Sequence, residues 1–184
     1  MRYLVISLVL ASPAWAECPP VADTNAERAA LLAQLKVAPD PGIAQGLNAQ
    51  LWEIWLKAPD MRAQGLLDDG VERMRLGDLD GAIATLSTLV DYCPNYAEGY
   101  NQRAFAQYLK QDFEPALQDL DRALAILPEH IGALSGKGLT LIGMGRAAAA
   151  QDALRSAFDL HPWLSERALP VSPPVQELYV YHPS

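Results

Sequence analysis

The chain is short of cations, of cysteine, of phenylalanine and of any apolar run long enough to cross a bilayer. Its 14 Lys and Arg against 22 Asp and Glu leave a formal net charge of -8, so a polyanion such as DNA or RNA is repelled on average. No five-residue run of Lys and Arg offsets that balance, and nucleic acid is set aside as a partner. The apolar stretch near the N-terminus is shorter than the roughly 20 residues of a transmembrane helix. Only three Phe, beside abundant Ala and Leu and a hydrophobic share of 51%, favour a helical globular protein over a disordered or all-β one. A length of 184 residues suits one domain of ordinary size.

What is present begins with MRYLVISLVLASPAWA. Arg2 gives a positive start, Leu4 to Leu10 a compact apolar segment, and Ala14-Trp15-Ala16 the small-x-small pattern of a cleavage site. Residues 1–16 are therefore expected to be a cleaved export signal, with the mature chain starting at Glu17 and no membrane span after it. A bacterial periplasm suits such a signal. Export places Cys18 and Cys93, the only cysteines, where disulfides persist, and two cysteines allow one intramolecular pairing. That bond would close a loop of ~75 residues and stabilise the fold by about 4 kcal/mol on the loop-entropy account.

Pro94, Pro128 and Pro162 then set a period of 34. Ala82, Ala116 and Ala150 keep it, as do Leu86, Leu120 and Leu154, and the small residues Gly70, Ala104 and Gly138. Each unit reads as two helices: Leu66, Leu67, Val71 and Met74 recur at about one helical turn, Gly77 provides a left-handed stop, and Asp78 and Asp112 stand where a cap opens the second helix. The small positions recur because paired helices approach closely only where side chains are short. Upstream, Thr24 and Glu27 have capping-box spacing before an apolar helical run, and a second run ends near Pro59. Asn95 and Glu98 repeat that spacing further on.

In its period, its small residues at the helix crossing, its A-x3-L steps at Ala82, Ala116 and Ala150 and its closing prolines, the sequence resembles the tetratricopeptide repeat (TPR) family. The family's aromatic after A-x3 is Leu in all three units, and its early Trp is replaced by Leu66, Tyr100 and Leu134. The resemblance implies an all-α fold, a right-handed superhelical solenoid of helix-turn-helix repeats. Residues 63–162 hold three such repeats, approximately 63–96, 97–130 and 131–164. Residues 17–60 are expected to form an N-terminal helical pair, either a degenerate repeat or a cap. Residues 163–184 are read as a capping segment followed by a proline-rich tail.

Chemistry is sparse. His130, His161 and His182 have no partners at metal-ligand or catalytic-triad spacing and read as surface residues. Asp78-Leu79-Asp80-Gly81 lacks the rest of a calcium loop, and the glycines between 132 and 145 are not followed by the G-K-[ST] of a phosphate loop. No enzyme, cofactor or metal site is expected.

In TPR arrays the first helices of successive units line a concave groove that holds a segment of a partner. Carried onto this chain, the groove residues are Leu67, Asn101 and Ser135, then Val71, Phe105 and Leu139, then Met74, Tyr108 and Ile142, with Gln102 adding a polar group. Gly132, Gly136 and Gly143 are expected to leave the third unit's groove shallow enough for a ligand main chain. The Lys, Arg and Asn with which some family members grip a terminal carboxylate are not reproduced, since Leu67, Val71, Gln102, Gly132 and Gly136 stand there. The functional expectation is a non-catalytic protein-binding module or assembly factor of the cell envelope, with a protein or peptide partner. The alternative is a structural accessory subunit packed permanently into a larger envelope complex.

Overall fold

The computed structural model describes residues 17–169, so both the expected export signal and the proline-rich tail from residue 170 lie outside the described residues. Over these residues the chain forms α1 (Asn25–Lys36), α2 (Pro41–Trp55), α3 (Met61–Arg75), α4 (Leu79–Tyr92), α5 (Ala97–Leu109), α6 (Phe113–Ile126), α7 (Ile131–Gly143) and α8 (Ala147–Leu160), then a 3₁₀ turn at Ser165–Ala168. No strand occurs among the described residues.

Local chemistry explains most of the boundaries. The side chains of Asp40, Asp60 and Asp78 accept from the backbone N–H of Ile43, Ala63 and Gly81, capping α2, α3 and α4. Asp112 precedes α6 without a side-chain cap, and Thr24 makes none on α1, its hydroxyl accepting from Arg28 instead. The expected capping box at Asn95 and Glu98 is replaced as well: Tyr96 occupies the N-cap of α5, and Glu98 is buried with other partners. Between the helices of each repeat one residue turns left-handed, Gly77 (φ 80°), Gln111 (φ 64°) and Gly145 (φ 71°). The following N–H then reaches back to close the helix end, as Asp78 does to the Arg73 carbonyl at 2.9 Å.

The small residues of the period lie where the helices cross. A Cβ on Gly70 would stand 2.6 Å from Leu86 Cγ, and one on Gly138 would stand 2.5 Å from Leu154 Cγ. Each repeat buries its own pair this way, and α4 packs on α5 and α6 on α7 to continue the stack. The ion pair of Arg103 and Asp119 reinforces the middle unit, with two 2.7 Å hydrogen bonds between α5 and α6 and a third from Arg103 to Ser87 Oγ on α4.

The first helical pair does not extend this stack. α1 and α2 pack on each other, but the core they enter contains Ile131 at the start of α7 and Leu160 at the end of α8, together with Leu31, Leu32, Leu35, Leu51 and Trp55. The pair is therefore folded back across the side of the array that the first helices present. The C-terminal segment meets it there, with Trp163 Nε1 donating to the Ala38 carbonyl at 2.9 Å and Leu164 packing into the same core. A disulfide joins Cys18 to Cys93, at the C-cap of α4, where Cys93 is buried.

Candidate functional site: the half-filled concave face

Helices α5 and α7 form the floor of the concave face, and a buried polar cluster sits where the two helices begin. Glu98 and His130 are 1% and 0% exposed, with His130 Nε2 and Glu98 Oε2 2.7 Å apart. His130 is also the N-cap of α7, its Nδ1 accepting from the Ala133 N–H at 3.2 Å. That acceptor role puts the proton of a neutral ring on Nε2, so His130 donates to Glu98. Asn101 Nδ2 and Gln102 Nε2 donate to the same carboxylate. Trp55 covers the imidazole in a stacked arrangement, centroids 4.2 Å apart, and Trp52 meets it edge-on at 5.9 Å. Tyr96 ties α2 down, donating from its hydroxyl to the Trp55 carbonyl at 2.7 Å, and burial raises its phenol well above the ordinary value.

This histidine and carboxylate form a clasp and do not act as a proton relay. Both ring nitrogens of His130 are engaged, and the ring is closed off from solvent, so no face is left for a substrate. The expectation of surface histidines fails at His130 and also at His161, which is 4% exposed. Burial lowers the His161 pKa, against a smaller opposing effect of Glu166. No metal-holding cluster of His, Cys, Asp or Glu occurs among the described residues.

Beside the clasp the concave face remains open as a cavity of about 380 Å³. Asn101, Gln102, Phe105 and Tyr108 of α5 line it with Ser135 and Leu139 of α7, so six of the ten anticipated groove residues meet in one place. Ile142 and Val71 are exposed, at 43% and 38%, outside its lining. Leu67 is a correction: it is 1% exposed in the core between α3 and α4, and Met74 is half-buried against that core. Leu67 faces α4 because it shares a helix face with Ala63 and Gly70, the residues at which the two helices approach.

Of the glycines of the third unit, Gly132 and Gly136 line the cavity and Gly143 does not, and all three stand against side chains. A Cβ on Gly132 would stand 2.8 Å from Trp52, one on Gly136 would stand 3.1 Å from Leu120, and one on Gly143 would stand 2.6 Å from Phe113. Part of the room they leave is taken by side chains of this chain. Trp52, which sequence reasoning did not place in the groove, is thereby its end wall. Glu166 and Ser165 from the C-terminal turn close the opposite rim, Ser135 Oγ donating to Glu166 at 2.5 Å.

Comparison with known proteins agrees with this architecture. Residues 70–111 match the family described as TPR repeat. The matched segment is similar to tetratricopeptide repeats. A TPR repeat-containing protein of Rhizobium etli is 29% identical over 139 residues, covering 72% of this chain and 65% of that protein. A homolog of tetratricopeptide repeat protein 36 from Nematostella vectensis is 36% identical, covering 38% of each chain. The matches thus span less than two thirds of the length of these relatives. Among solved structures, the first TPR of Spaghetti (RPAP3), bound to an HSP90 peptide, superposes with a TM-score of 0.56 at 23% identity, covering 57% of this chain and 83% of that one. The TPR fold is shared across this distance, whereas the infolded α1–α2 pair lies upstream of the matched repeat.

Proposed function

We propose that this chain is a non-catalytic protein-binding module that seats a short segment of a partner protein in the open half of its concave face, and that it works in the cell envelope after export. The observation that carries the reading is the cavity of about 380 Å³ between α5 and α7, walled by apolar and aromatic side chains and continuous with Phe105, which is 51% exposed. That volume lies at the low end of ligand clefts and suits one or two anchoring side chains, not a long peptide laid along the whole groove. A peptide-bound TPR neighbour supports the same use of the surface. The export signature of residues 1–16 and the joined cysteines support an oxidising compartment.

Two measurements test the reading. Mass spectrometry of the protein from its native cells should find a mature N-terminus at Glu17 in the envelope fraction, and an intact Met1 in the cytosol refutes the export half. Cross-linking pull-down from envelope extract should recover one set of partners that the Phe105→Ala, Tyr108→Ala double variant loses. Undiminished capture by that variant moves the binding face elsewhere.

A further inference from the structure

We infer that the concave cavity is specific for a basic segment, an extended stretch of a partner protein that inserts a lysine or arginine side chain; this rests on the peptide-binding reading above and names the chemistry of the partner.

The argument comes from how the polar groups around the cavity spend their hydrogens. Glu98 forces Asn101 and Gln102 to turn their NH₂ groups toward it, which leaves their amide oxygens as the uncommitted ends. Ser135 spends its hydroxyl proton on Glu166. Two further oxygens at the cavity are buried with no partner among the described residues, Asn48 Oδ1 on α2 and Thr140 Oγ1 on α7. Both oxygens are closed off from the open side of the cavity, and the Thr140 hydroxyl can donate as well as accept, so the acceptors offered to a guest are the amide oxygens of Asn101 and Gln102 and the Glu166 carboxylate. The lining therefore offers one carboxylate and two amide oxygens, beside the neutral donors of Trp52 and Tyr108.

Charge points the same way. The cavity lining holds the Glu166 carboxylate and no Lys or Arg, in a chain with formal net charge -8. An acidic segment would bring a second negative charge to Glu166 and meet no cation. A Lys or Arg side chain has donors only, and its apolar stem suits the Phe105, Tyr108 and Leu139 walls on the way in. The repeats thus build a seat of the opposite sign to a carboxylate clamp.

The test uses the disulfide-bonded mature chain and three fluorescent heptapeptides with identical apolar flanks and Lys, Leu or Glu at the centre, read by fluorescence anisotropy. The Lys peptide is expected to bind about tenfold tighter than the Leu peptide, and the Glu peptide weakest, with the Lys advantage shrinking as salt rises. Glu166→Gln should weaken the Lys peptide about tenfold. Asp80→Asn removes one negative charge outside the cavity lining and should leave Kd unchanged. Equal affinity for all three peptides, abolished by Phe105→Ala, overturns the basic preference while the groove reading stands. Tighter binding of the Glu peptide overturns the preference too. Absence of binding by all three, or binding indifferent to Phe105→Ala, overturns both.

Discussion

Replacing His130 with Ala should be among the most destabilising single changes in this protein, although the residue lies in no helix interior and touches no ligand. Three contributions are lost together. The Ala133 N–H loses its cap acceptor, about 1 kcal/mol, and Trp55 loses its stacked partner, about 1 kcal/mol beyond the area involved. Glu98, 1% exposed, loses one of its three donors and keeps the amides of Asn101 and Gln102, for roughly 1 to 2 kcal/mol more. The sum is about 3 to 4 kcal/mol, a fall in Tm on the order of 10 °C for a chain of this size. Urea denaturation of the oxidised mature protein, followed by circular dichroism, measures it. A double-mutant cycle with Glu98→Gln should show coupling above about 1 kcal/mol, because the two side chains share one hydrogen bond. A loss below 1 kcal/mol for His130→Ala, or strict additivity in the cycle, refutes the clasp.

Glycine positions give opposite signs for one substitution: Gly70→Ala should destabilise by about 1 to 2 kcal/mol through overpacking on Leu86, and Gly65→Ala, with open space at its Cβ, should stabilise by about 0.5 to 1 kcal/mol. Chemical denaturation of the two variants side by side checks the pair. Arg103→Ala leaves Asp119, 6% exposed, without its bidentate partner and should cost about 3 kcal/mol, whereas a loss under 1 kcal/mol means Asp119 finds water. Because burial holds the His161 pKa below 6.5, the folded state takes up its proton less readily than the unfolded chain. Stability should therefore be full above about pH 6.5 and decline below it, through the window down to the lowered pKa, and His161→Gln should flatten that decline. Thiol reduction should lower stability by about 4 kcal/mol, and free-thiol titration before reduction should find none.

The repeats were legible because their defining feature is steric and periodic. Wherever two helices cross, one side chain must be short, and residues 70, 104 and 138 record that demand directly in the sequence. Asn101, Phe105, Tyr108, Ser135 and Leu139, which line the cavity, followed from the same register, whereas Ile142 lies outside that lining. Leu67 did not follow, since a helix lining a groove also has a face toward its own partner helix, and periodicity alone does not distinguish the two. The clasp was hidden for another reason. Glu98 and His130 stand 32 residues apart, off the 34-residue register, and a buried polar pair carries no spacing rule that a single chain displays. The placement of α1 and α2 was equally silent, because an amphipathic hairpin announces that it packs on something without saying on what. Gly132 shows the difficulty most plainly: the missing side chain was visible, but the Trp52 ring that takes its place comes from a helix 80 positions earlier.

The infolded hairpin raises the question of whether the disulfide gates the groove, and the contacts argue that it does not. Swinging α1 and α2 out as a unit keeps their mutual packing and their helices, so it recovers little backbone entropy. It exposes Trp55, Leu51, Leu31, Leu35 and, from the other side, Ile131 and Leu160, each worth about 1.5 to 3 kcal/mol when fully exposed. The Trp163 hydrogen bond to Ala38 and the Tyr96 hydrogen bond to Trp55 would break in the same motion. Against this, the bond from Cys18 to Cys93 acts mainly by restricting the unfolded chain. Reduction should then weaken the fold while leaving peptide affinity at neutral pH within twofold of the oxidised protein. A groove that gains affinity on reduction would mean that the hairpin is held in place by the disulfide alone, and that the packing around His130 is far weaker than its burial implies.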